Sequence, residues 1–305
     1  MTPRVSVIIV TYRSRAALEA CLSSLTLCRD RFELEPIVVD NAPEDGTAAW
    51  LAAMHPWVKV IANERNRGFT GGVNQGLALA TGQALLLLNP DCELSPEALA
   101  GLLEALEGDP RAAAAAPMLT DGAGHPVRSA GRFPNLWTLA CDHLALAGRF
   151  PNSPLFGGYK YGDRPLAALE VVDWASGAAL LVPRAVYGEV GGLDEGIFMY
   201  MEEVDWCRRA ADAGYHVRFV PGSRFVHHGQ QSSRHARHET YLHNLRSRVY
   251  YFRKHHGPWA ALAARAILTL SLALKWTATR LDAKRAGLAV TYAHGLRAVW
   301  AGSGR

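Results

Sequence analysis

The chain has 305 residues, of which 49% are hydrophobic and 20% are charged. This composition excludes a disordered or fibrous protein, and the length suffices for one large domain or two small ones. The net charge of +4 is uneven, because the segment from Trp259 onward has seven basic residues and one acidic residue, so it carries +6 and the rest −2. We therefore expect the tail to contact an anionic surface, and no nucleic acid to bind along the body.

The five cysteines are scattered, with neither a CxxC pair nor a disulfide-like spacing. This usage is typical of a reducing compartment. The N-terminus has a short apolar run but lacks a basic leader followed by a small-residue cleavage site, so we predict no signal peptide. Together these features predict a cytoplasmic chain.

Short apolar runs alternate with helical patterns over the first ninety residues. The predicted strands are residues 5–10, 37–39, 58–61 and 84–88, and the predicted helices are 16–27, 47–55 and 72–80. The strands are apolar on both faces, which is typical of buried parallel strands. The alternation predicts βαβ units and an α/β fold with a mostly parallel central sheet flanked by helices.

The middle of the chain, residues 110–165, is rich in Gly and Pro. Residues 112–116 favour a helix by propensity, but Pro110 and Pro117 flank them, so we prefer a short strand. The further predicted elements are strands at 178–182 and 216–220 and a helix at 202–213. Gly214 is a good C-terminal cap for that helix.

The tail is helical and strongly apolar from Trp259 to Trp276. Arg265 interrupts it, and the stretch from there to Lys275 is too short to cross about 30 Å of hydrocarbon. Tryptophans at both ends and flanking cations predict a helix in the membrane interface. The alternatives are a buried helix that completes the core and a helix that forms a dimer interface.

Polar residues follow each of the first four predicted strands. They are Thr11, Tyr12 and Arg13, then Asp40 and Asn41, then Asn63, Asn66, Gly68 and Phe69, and finally Asn89 and Asp91. Each alone is explained as a turn or cap residue. Because ligands bind beyond the carboxyl ends of strands in open α/β sheets, the set together predicts a ligand site.

Two common nucleotide-binding motifs are absent from the sequence, GxGxxG after the first strand and GxxxxGK[ST] anywhere. Their absence argues against a dinucleotide-binding Rossmann domain and a P-loop NTPase. Asp40 can instead accept a hydrogen bond from the imide N–H of uracil or thymine, with Tyr12 packed on the base. Asp91 follows four leucines and can hold Mg²⁺ or Mn²⁺ against a diphosphate. The alternative for both aspartates is a turn, cap or loop residue.

Three carboxylates, Glu202, Glu203 and Asp205, open the helix predicted at 202–213. The helix dipole alone explains acidic residues at that position. The functional interpretation is that one of them acts as a general base on an acceptor hydroxyl. Crowded carboxylates raise one another's pKa, which favours that role.

A further polar cluster begins at His227 and His228, after the strand predicted at 216–220. Histidine is a common metal ligand, although a single His–His pair usually is not one. The arginines around it are Arg224, Arg234, Arg237, Arg246 and Arg248. Such arginines bind phosphate oxygens, or they form a solvated basic face.

Six segments in order resemble family 2 glycosyltransferases of the GT-A fold, and within that family bacterial rhamnosyltransferases of cell-surface polysaccharide synthesis. They are SVIIVTYRS, IVVDNAPEDGT, NRGFTGGVNQG, LLLLNPD, DWASGAALLVPRAVYGEVGGLDEGIFMYMEEVDWCRRAADAGY and VPGSRFVHHGQQSS. The resemblance extends to about His256. It implies a Rossmann-like GT-A domain over residues 1–256, with a nucleotide-sugar half (1–118) and an acceptor half (119–256), followed by a helical tail (257–305).

The resemblance also implies roles for individual residues. The donor-binding set would be Thr11, Tyr12, Arg13, Asp40, Asn41, Asn66, Gly68, Phe69, Asn74, Asn89 and Asp91. Asn89–Pro90–Asp91 stands where many members have Asp-x-Asp, so Asp91 would bind the metal together with His227, with His228 as the fallback. Trp174, Gly177 and Ala178 match the segment beside the acceptor.

The catalytic base implied by the resemblance is the second carboxylate of a Glu-Asp pair, which is Glu203 here, with Glu202 and Asp205 as alternatives. A single carboxylate suffices because the family inverts the anomeric carbon in one displacement, unlike a glycosidase with its carboxylate pair.

The leading hypothesis is a dTDP-rhamnose-dependent transferase at the cytoplasmic face of the membrane, acting on a lipid-linked or polysaccharide acceptor. UDP-galactofuranose and UDP-hexosamine are alternative donors. A non-catalytic nucleotide-sugar-binding or scaffold protein is the alternative of another class.

Overall fold

The computed structural model describes residues 3–161, 166–229, 237–281 and 287–301. The chain divides into two compact units. The first contains Met1–Gly131, Leu166–Glu195 and Glu202–His235, and the second contains Arg132–Pro165, Gly196–Met201 and Ala236–Arg305. This division differs from the boundaries expected at residues 118 and 256, because segments of the expected acceptor half group with the tail.

A mixed sheet forms the centre of the first unit. The described strands are β1 (Val5–Thr11), β2 (Leu34–Asp40), β3 (Lys59–Ala62), β4 (Ala84–Leu88), β5 (Cys92–Glu93), β6 (Ala112–Thr120), β7 (Ala130–Gly131), β8 (Glu170–Val172), β9 (Trp174–Ala175), β10 (Ala179–Pro183) and β11 (His216–His227). The order in the sheet is β3-β2-β1-β4-β10-β6-β11-β5, and β8 pairs with β11. β7 and β9 form a separate small ribbon.

The helices alternate with and follow the strands along the chain. The described helices are α1 (Arg15–Cys28), α2 (Thr47–Met54), α3 (Gly68–Leu79), α4 (Pro96–Glu107), α5 (Leu136–His143), α6 (Leu146–Arg149), α7 (Arg184–Val190), α8 (Glu202–Asp212), α9 (Arg237–Leu281) and α10 (Ala289–Trp300). α5, α6, α9 and α10 lie in the second unit.

The first half of the sheet is parallel, as the βαβ pattern predicts. β1 pairs in parallel with both β2 and β4, and β2 with β3. Every residue of β1 and β4 is buried, which explains why these strands are apolar on both faces. Because the strands are parallel, their carboxyl ends meet at one edge of the sheet.

The second half of the sheet has mixed strand directions. β10 is antiparallel to β4 and to β6, whereas β6 is parallel to β11. The strand preferred at residues 112–116 is confirmed as β6, which continues to Thr120. Pro117 lies opposite Val220, just before a register shift in β11. Such an irregularity suits a proline, which has no N–H for the ladder.

Two glycines bring α3 close to β1. A Cβ on Gly72 would lie 2.8 Å from Cγ1 of Val10, and a Cβ on Gly76 would lie 2.6 Å from Cγ2 of Ile8. Both distances are shorter than side chains tolerate, so only glycine permits this approach. The glycines of the NRGFTGGVNQG segment therefore fix the start of α3 against the edge where β1 ends.

The second unit is helical, and α9 is its longest element. Gly257 interrupts α9 with φ 86° and ψ 176°, and Pro258 follows it. Beyond this break, Ala264, Leu268 and Leu272 are fully buried. Gly295 of α10 lies so close that a Cβ on it would be 3.0 Å from Cδ2 of Leu272. One face of the predicted tail helix is therefore a core face.

The opposite face of the same segment is apolar and exposed. Trp259 is 81% exposed, and Leu262, Leu270 and Leu274 are about half exposed. These positions and Ala266 recur at roughly four-residue spacing, so they form one stripe along the helix. Among the described residues, one helix, His238–Thr279, is long and apolar enough to cross a membrane by its length and composition.

Candidate active site

The ends of β1, β2 and β3 are tied together one residue beyond the strands. The Asn41 N–H donates to the Thr11 carbonyl at 2.9 Å, and the Asn63 N–H donates to the Asp40 carbonyl at 2.9 Å. Thr11 and Asp40 are therefore neighbours at the same edge of the sheet. The Thr11 hydroxyl is buried and has no hydrogen-bond partner within the described chain, which is unusual for a buried polar group.

Asp40 is almost completely buried at this edge, with 1% of its surface exposed. Burial raises the pKa of its carboxyl group, and the negative charges of Asp45 and Glu44 raise it further. The hydrogen bond from the Ala42 N–H lowers this pKa and partly opposes the shift. That N–H donates to Oδ1 of Asp40 at 3.0 Å, so one carboxylate oxygen is held by the main chain. The carboxyl group is thus fixed in position.

Tyr12 and Arg13 follow β1 and interact with each other. Arg13 has a left-handed backbone with φ 52°, and its guanidinium lies 5.3 Å from the centre of the Tyr12 ring. Nε of Arg13 donates to Oε1 of Glu44 at 3.0 Å. Arg13 therefore orients Tyr12 and has its charge balanced by Glu44, a residue that the sequence analysis did not single out.

Asn41 holds the loop that leads into α3. Its amide Nδ2 donates to the Gly68 carbonyl at 3.0 Å, and its Oδ1 accepts from Nδ2 of Asn63 at 2.8 Å. The Gly68 N–H donates to Oδ1 of Asn66 at 2.8 Å, and Gly68 has φ 78°. Of the predicted donor-binding residues, Asn41, Asn66 and Gly68 thus form one hydrogen-bonded turn, completed by Asn63.

Asp91 and His227 come together because β5 pairs with the end of β11. His227 lies opposite Cys92 in that ladder, and the His228 N–H donates to the Asp91 carbonyl at 3.0 Å. Nε2 of His227 is 3.2 Å from Oδ1 of Asp91 and 3.5 Å from Nδ2 of Asn89. A carboxylate oxygen and an imidazole nitrogen at this separation fit a divalent cation such as Mn²⁺.

Two neighbours of this pair have other partners. A potential ligand atom of Cys92 lies within 4.8 Å of those of Asp91 and His227, but its thiol donates to the Ala178 carbonyl at 3.3 Å. Burial raises the pKa of the Cys92 thiol well above its usual value, so it is not a thiolate. Nε2 of His228, the fallback ligand, lies 2.5 Å from Oε1 of Glu93. Asp91 and His227 are therefore the best pair for a metal.

Two residues with left-handed backbone precede the acidic start of α8. Tyr200 has φ 65° and Met201 has φ 71°. Non-glycine residues adopt this conformation at a cost of about 1–3 kcal/mol each, and such strain is concentrated at functional sites. The turn directly precedes Glu202 and Glu203.

Glu202 and Glu203 have different environments. Glu202 is 7% exposed and its Oε2 has no hydrogen-bond partner within the described chain. Burial, and then the negative charge of Glu203, raises the pKa of Glu202 well above its usual value. Glu203 is half-buried. The expected mutual effect of crowded carboxylates is therefore present at Glu202.

Glu203 lies beside Gly177 and near Phe69. A Cβ on Gly177 would lie 3.5 Å from Cβ of Glu203 and 3.9 Å from Cε1 of Phe69. All three residues line a cavity of about 10 Å³, together with Glu202 and Trp206. The neighbouring Ala178 carbonyl accepts the Asn89 N–H at 2.8 Å, which links this cavity to the end of β4.

Asp205 is completely buried and paired with Arg209. Nε of Arg209 donates to Oδ2 of Asp205 at 3.1 Å. The same guanidinium donates to the carbonyls of Val190 at 2.7 Å and Gly192 at 2.6 Å. Asp205 thus helps to attach α8 to the loop after α7, unlike Glu203, which lines the cavity.

Three other predicted site residues have structural contacts. The Asn74 amide exchanges two hydrogen bonds with the Leu193 main chain, at 2.9 and 3.0 Å, and so holds the loop after α7. Trp174 is 3% exposed in β9 and Ala178 is 4% exposed. Of the acceptor segment, Gly177 is the residue placed beside Glu203.

Comparison with known proteins shows the family of the chain. Residues 6–162 match the sequence profile described as "Glycosyl transferase family 2". The chain is 32% identical over 287 residues to the N-acetylglucosaminyl-diphospho-decaprenol L-rhamnosyltransferase of Mycobacterium tuberculosis, covering 90% of this chain and 92% of that one. It is 26% identical to the low-salt glycan biosynthesis hexosyltransferase Agl10 of Haloferax volcanii, covering 69% of this chain and 62% of that one.

Similar solved structures support the same fold. The mannosyltransferase PcManGT from Pyrobaculum calidifontis, in complex with GDP-Man and Mn²⁺, matches with a TM-score of 0.55 at 19% identity, covering 98% of this chain and 86% of that one. GalNAc-T7 with UDP, GalNAc and Mn²⁺ matches with a TM-score of 0.57 at 19% identity, covering 74% and 43%. The chain belongs to glycosyltransferase family 2 and is a glycosyltransferase with the GT-A fold.

Proposed function

We propose that this glycosyltransferase moves L-rhamnose from dTDP-rhamnose to a hydroxyl of a lipid-linked saccharide. The observation that carries the proposal is the 32% identity to the mycobacterial L-rhamnosyltransferase, which extends over nine-tenths of both chains. The printed name of that relative specifies an acceptor sugar joined through a diphosphate to a polyprenyl lipid. A polysaccharide acceptor is the alternative.

The donor base binds at the ends of β1 and β2. Asp40 accepts the imide N–H of thymine, and Tyr12 packs on the ring under the restraint of Arg13. The burial of Asp40 and its fixed carboxyl group support this role. The unpartnered Thr11 hydroxyl supports it as well, because a bound nucleoside would supply the missing partner.

Asp91 and His227 hold a divalent cation, Mn²⁺ or Mg²⁺, against the donor diphosphate. A cation at this position neutralises the charge that develops on the leaving diphosphate. Oxygen and imidazole ligands suit both ions. The 3.2 Å approach of Asp91 to His227 supports this assignment.

Glu203 is the general base, and Glu202 and Asp205 support it. The acceptor oxygen attacks the anomeric carbon as the bond from that carbon to the phosphate oxygen breaks, and the bonding electrons leave with the nucleoside diphosphate. The proton of the acceptor hydroxyl moves to Glu203. The raised pKa of Glu202 favours its neutral form, and Asp205 positions α8 through Arg209.

A donor panel tests the proposal. We expect Mn²⁺-dependent transfer from dTDP-rhamnose to a lipid-linked N-acetylglucosamine, measured by mass spectrometry of the product. Preferential transfer from UDP-galactofuranose or a UDP-hexosamine would replace rhamnose with that sugar. Binding of every donor without any transfer would support the non-catalytic alternative and contradict the proposal.

The exposed apolar stripe of α9 rests in the membrane interface. Trp259, Leu262, Leu270 and Leu274 would bury apolar surface there, and the basic tail would meet anionic headgroups. We place the enzyme at the inner, cytoplasmic face of the membrane, because the anionic headgroups that attract a basic segment are concentrated there.

Vesicle flotation tests this contact. We expect Leu270→Asp to weaken binding to anionic vesicles by about tenfold or more, since burial of a leucine contributes roughly 1.5–3 kcal/mol. Leu79→Asp is the matched control, because Leu79 is 49% exposed on α3 in the first unit. Equal flotation of wild type and Leu270→Asp would contradict the membrane contact and favour a protein interface such as a dimer.

A further inference from the structure

Arg248 of α9 is a buried cation whose contacts leave one nitrogen unused. The residue is 9% exposed. Nε donates to Oδ1 of Asn244 at 2.8 Å, and Nη2 donates to the Tyr159 hydroxyl at 3.2 Å. Nη1 is buried and has no hydrogen-bond partner in the part of the chain that the structure describes. For Arg248 the sequence left open phosphate binding or a solvated basic face, and its burial makes the solvated face wrong.

A second cation, Lys275, lies further along α9 and interacts electrostatically with Arg248. Burial lowers the pKa of Lys275, and the charge of Arg248 lowers it further. Burial, Arg248 and Lys275 together lower the pKa of His143 to about 3, so this imidazole is neutral at physiological pH. Oγ of Ser271, one helical turn before Lys275 on α9, donates to the His143 carbonyl at 2.7 Å. This part of α9 therefore packs against the end of α5, and the charges of Arg248 and Lys275 both act on the partly buried space around His143.

Asp142 offsets part of the positive charge around this space but does not balance all of it. Burial raises the pKa of Asp142 to about 6, although Arg248 and Lys160 oppose the shift. Among the described residues, Asp142 forms no ion pair with Arg248 within 4.0 Å, and Lys160 adds a further positive charge. Burial raises the pKa of Tyr241 to about 12, so it keeps its proton, and its buried hydroxyl has no hydrogen-bond partner among those residues.

A bound anion would balance the excess positive charge and accept a hydrogen bond from Nη1 of Arg248. Unpaired buried charges and unsatisfied N–H groups cost free energy. A purely structural role for Arg248 explains the hydrogen bonds of Nε and Nη2 but does not explain why Nη1 is buried without one. A guanidinium donates to phosphate oxygens with two N–H groups at once, while lysine and tyrosine add single donors. The site has the chemistry of a phosphate or diphosphate receptor.

We propose that Arg248 and Lys275 bind the diphosphate group of the polyprenyl-linked acceptor. The inference rests on the proposed function for the identity of that ligand, and on the geometry of the second unit for the anion site itself. Lys275 lies on the same segment of α9 as the apolar stripe, which gives a lipid chain an adjacent apolar surface.

Titration with inorganic pyrophosphate tests the anion site. The measurement uses the full-length protein with EDTA present, so that a metal-dependent diphosphate site does not contribute. We expect binding to weaken by about tenfold or more in Arg248→Gln, because charged hydrogen bonds are lost. Lys275→Gln should weaken it as well, and it decides the question if Arg248→Gln does not fold. Arg253→Gln, which removes an exposed cation from α9, is the matched control and should bind as wild type does.

Unchanged binding in both Arg248→Gln and Lys275→Gln would overturn the inference, as would a wild type that does not bind pyrophosphate. Loss of binding in Asp91→Asn with no loss in Arg248→Gln would assign the anion to the donor site instead. Flotation on anionic vesicles separates a bilayer headgroup from the acceptor diphosphate. We expect Arg248→Gln to float as wild type does, and reduced flotation would contradict the acceptor assignment.

Kinetics separate this inference from the proposed function. With a diphospholipid acceptor, Arg248→Gln should raise the acceptor KM by about tenfold or more and leave the donor KM unchanged. With an alkyl glycoside of the same acceptor sugar, which has no phosphate, the variant should match wild type. An equal loss with both acceptors would contradict the inference and leave transferase function intact. Absence of transfer by wild type with either acceptor would contradict the proposed function, while pyrophosphate binding would still test the site.

Discussion

Replacing Glu203 by Gln is expected to lower kcat by about 10²–10⁴-fold, with donor affinity unchanged, because the amide cannot take the proton of the acceptor hydroxyl. The substitution keeps the size of the side chain, so the contact with Gly177 and the cavity should persist. Transfer rates and calorimetric binding of donor measure the two effects separately. Full activity of Glu203→Gln would remove Glu203 from the role of base.

Glu202→Gln is the matched control for that experiment. The raised pKa of Glu202 favours its neutral form, which a neutral amide resembles. We expect this variant to keep kcat within a few-fold of wild type.

A carboxyl group whose pKa is higher in the folded protein than in the unfolded chain stabilises the fold at pH values below its unfolded pKa. That contribution is lost as the pH rises through the folded pKa. The stability of Glu202→Gln relative to wild type should therefore increase with pH.

Replacing Asp91 by Asn is expected to remove most of the metal-dependent activity, with kcat/KM falling by about 10²–10³-fold, the range seen when a charge-stabilising group is deleted. Asp91 contributes a carboxylate oxygen 3.2 Å from Nε2 of His227, and an amide binds divalent cations more weakly. Mn²⁺ binding in the presence of dTDP, followed by electron paramagnetic resonance, should weaken in parallel with activity.

Glu93→Gln is the control for Asp91→Asn. Glu93 is two residues away, and its partner is His228 rather than His227. The same change of charge at Glu93 should leave Mn²⁺ binding and kcat/KM within a few-fold of wild type. If Asp91→Asn kept the Mn²⁺ affinity of wild type, the metal would have to be placed elsewhere.

The parallel half of the sheet could be predicted from sequence because burial on both faces leaves a direct pattern. The runs at 84–88 and 5–10 match β4 and most of β1, since each residue of those strands is buried. The direction of β10 could not be predicted in this way. An apolar run shows that a strand is buried on both faces but does not show which way it runs between its neighbours.

The tail helix shows that hydrophobicity alone cannot distinguish a buried face from an exposed apolar face. The sequence offered a buried helix or an interfacial helix, and the segment after Gly257 has both a core face and an exposed apolar face. Total hydropathy does not distinguish these faces, because both are apolar. Only the packing of α10 against Leu272 shows which side is covered.

The common location of the polar residues at the strand ends was predictable from the sequence, whereas contacts between residues far apart in the chain were not. The ion pair of Asp205 with Arg209 was accessible from the sequence, because residues four apart on a helix are neighbours. The hydrogen bonds of Asn74 to Leu193 join residues 119 positions apart and leave no local signal. The burial of Arg248 likewise depends on Tyr159, which precedes it by 89 positions.

The most direct test is a crystal structure with Mn²⁺ and a non-reacting dTDP-sugar analogue. We predict Mn²⁺ bound by Asp91 and His227 and to the diphosphate, thymine hydrogen-bonded to Asp40, and the Glu203 carboxylate facing the anomeric carbon. A cation bound away from Asp91, or a thymine with no contact to Asp40, would contradict the assignment of this sheet edge as the donor site.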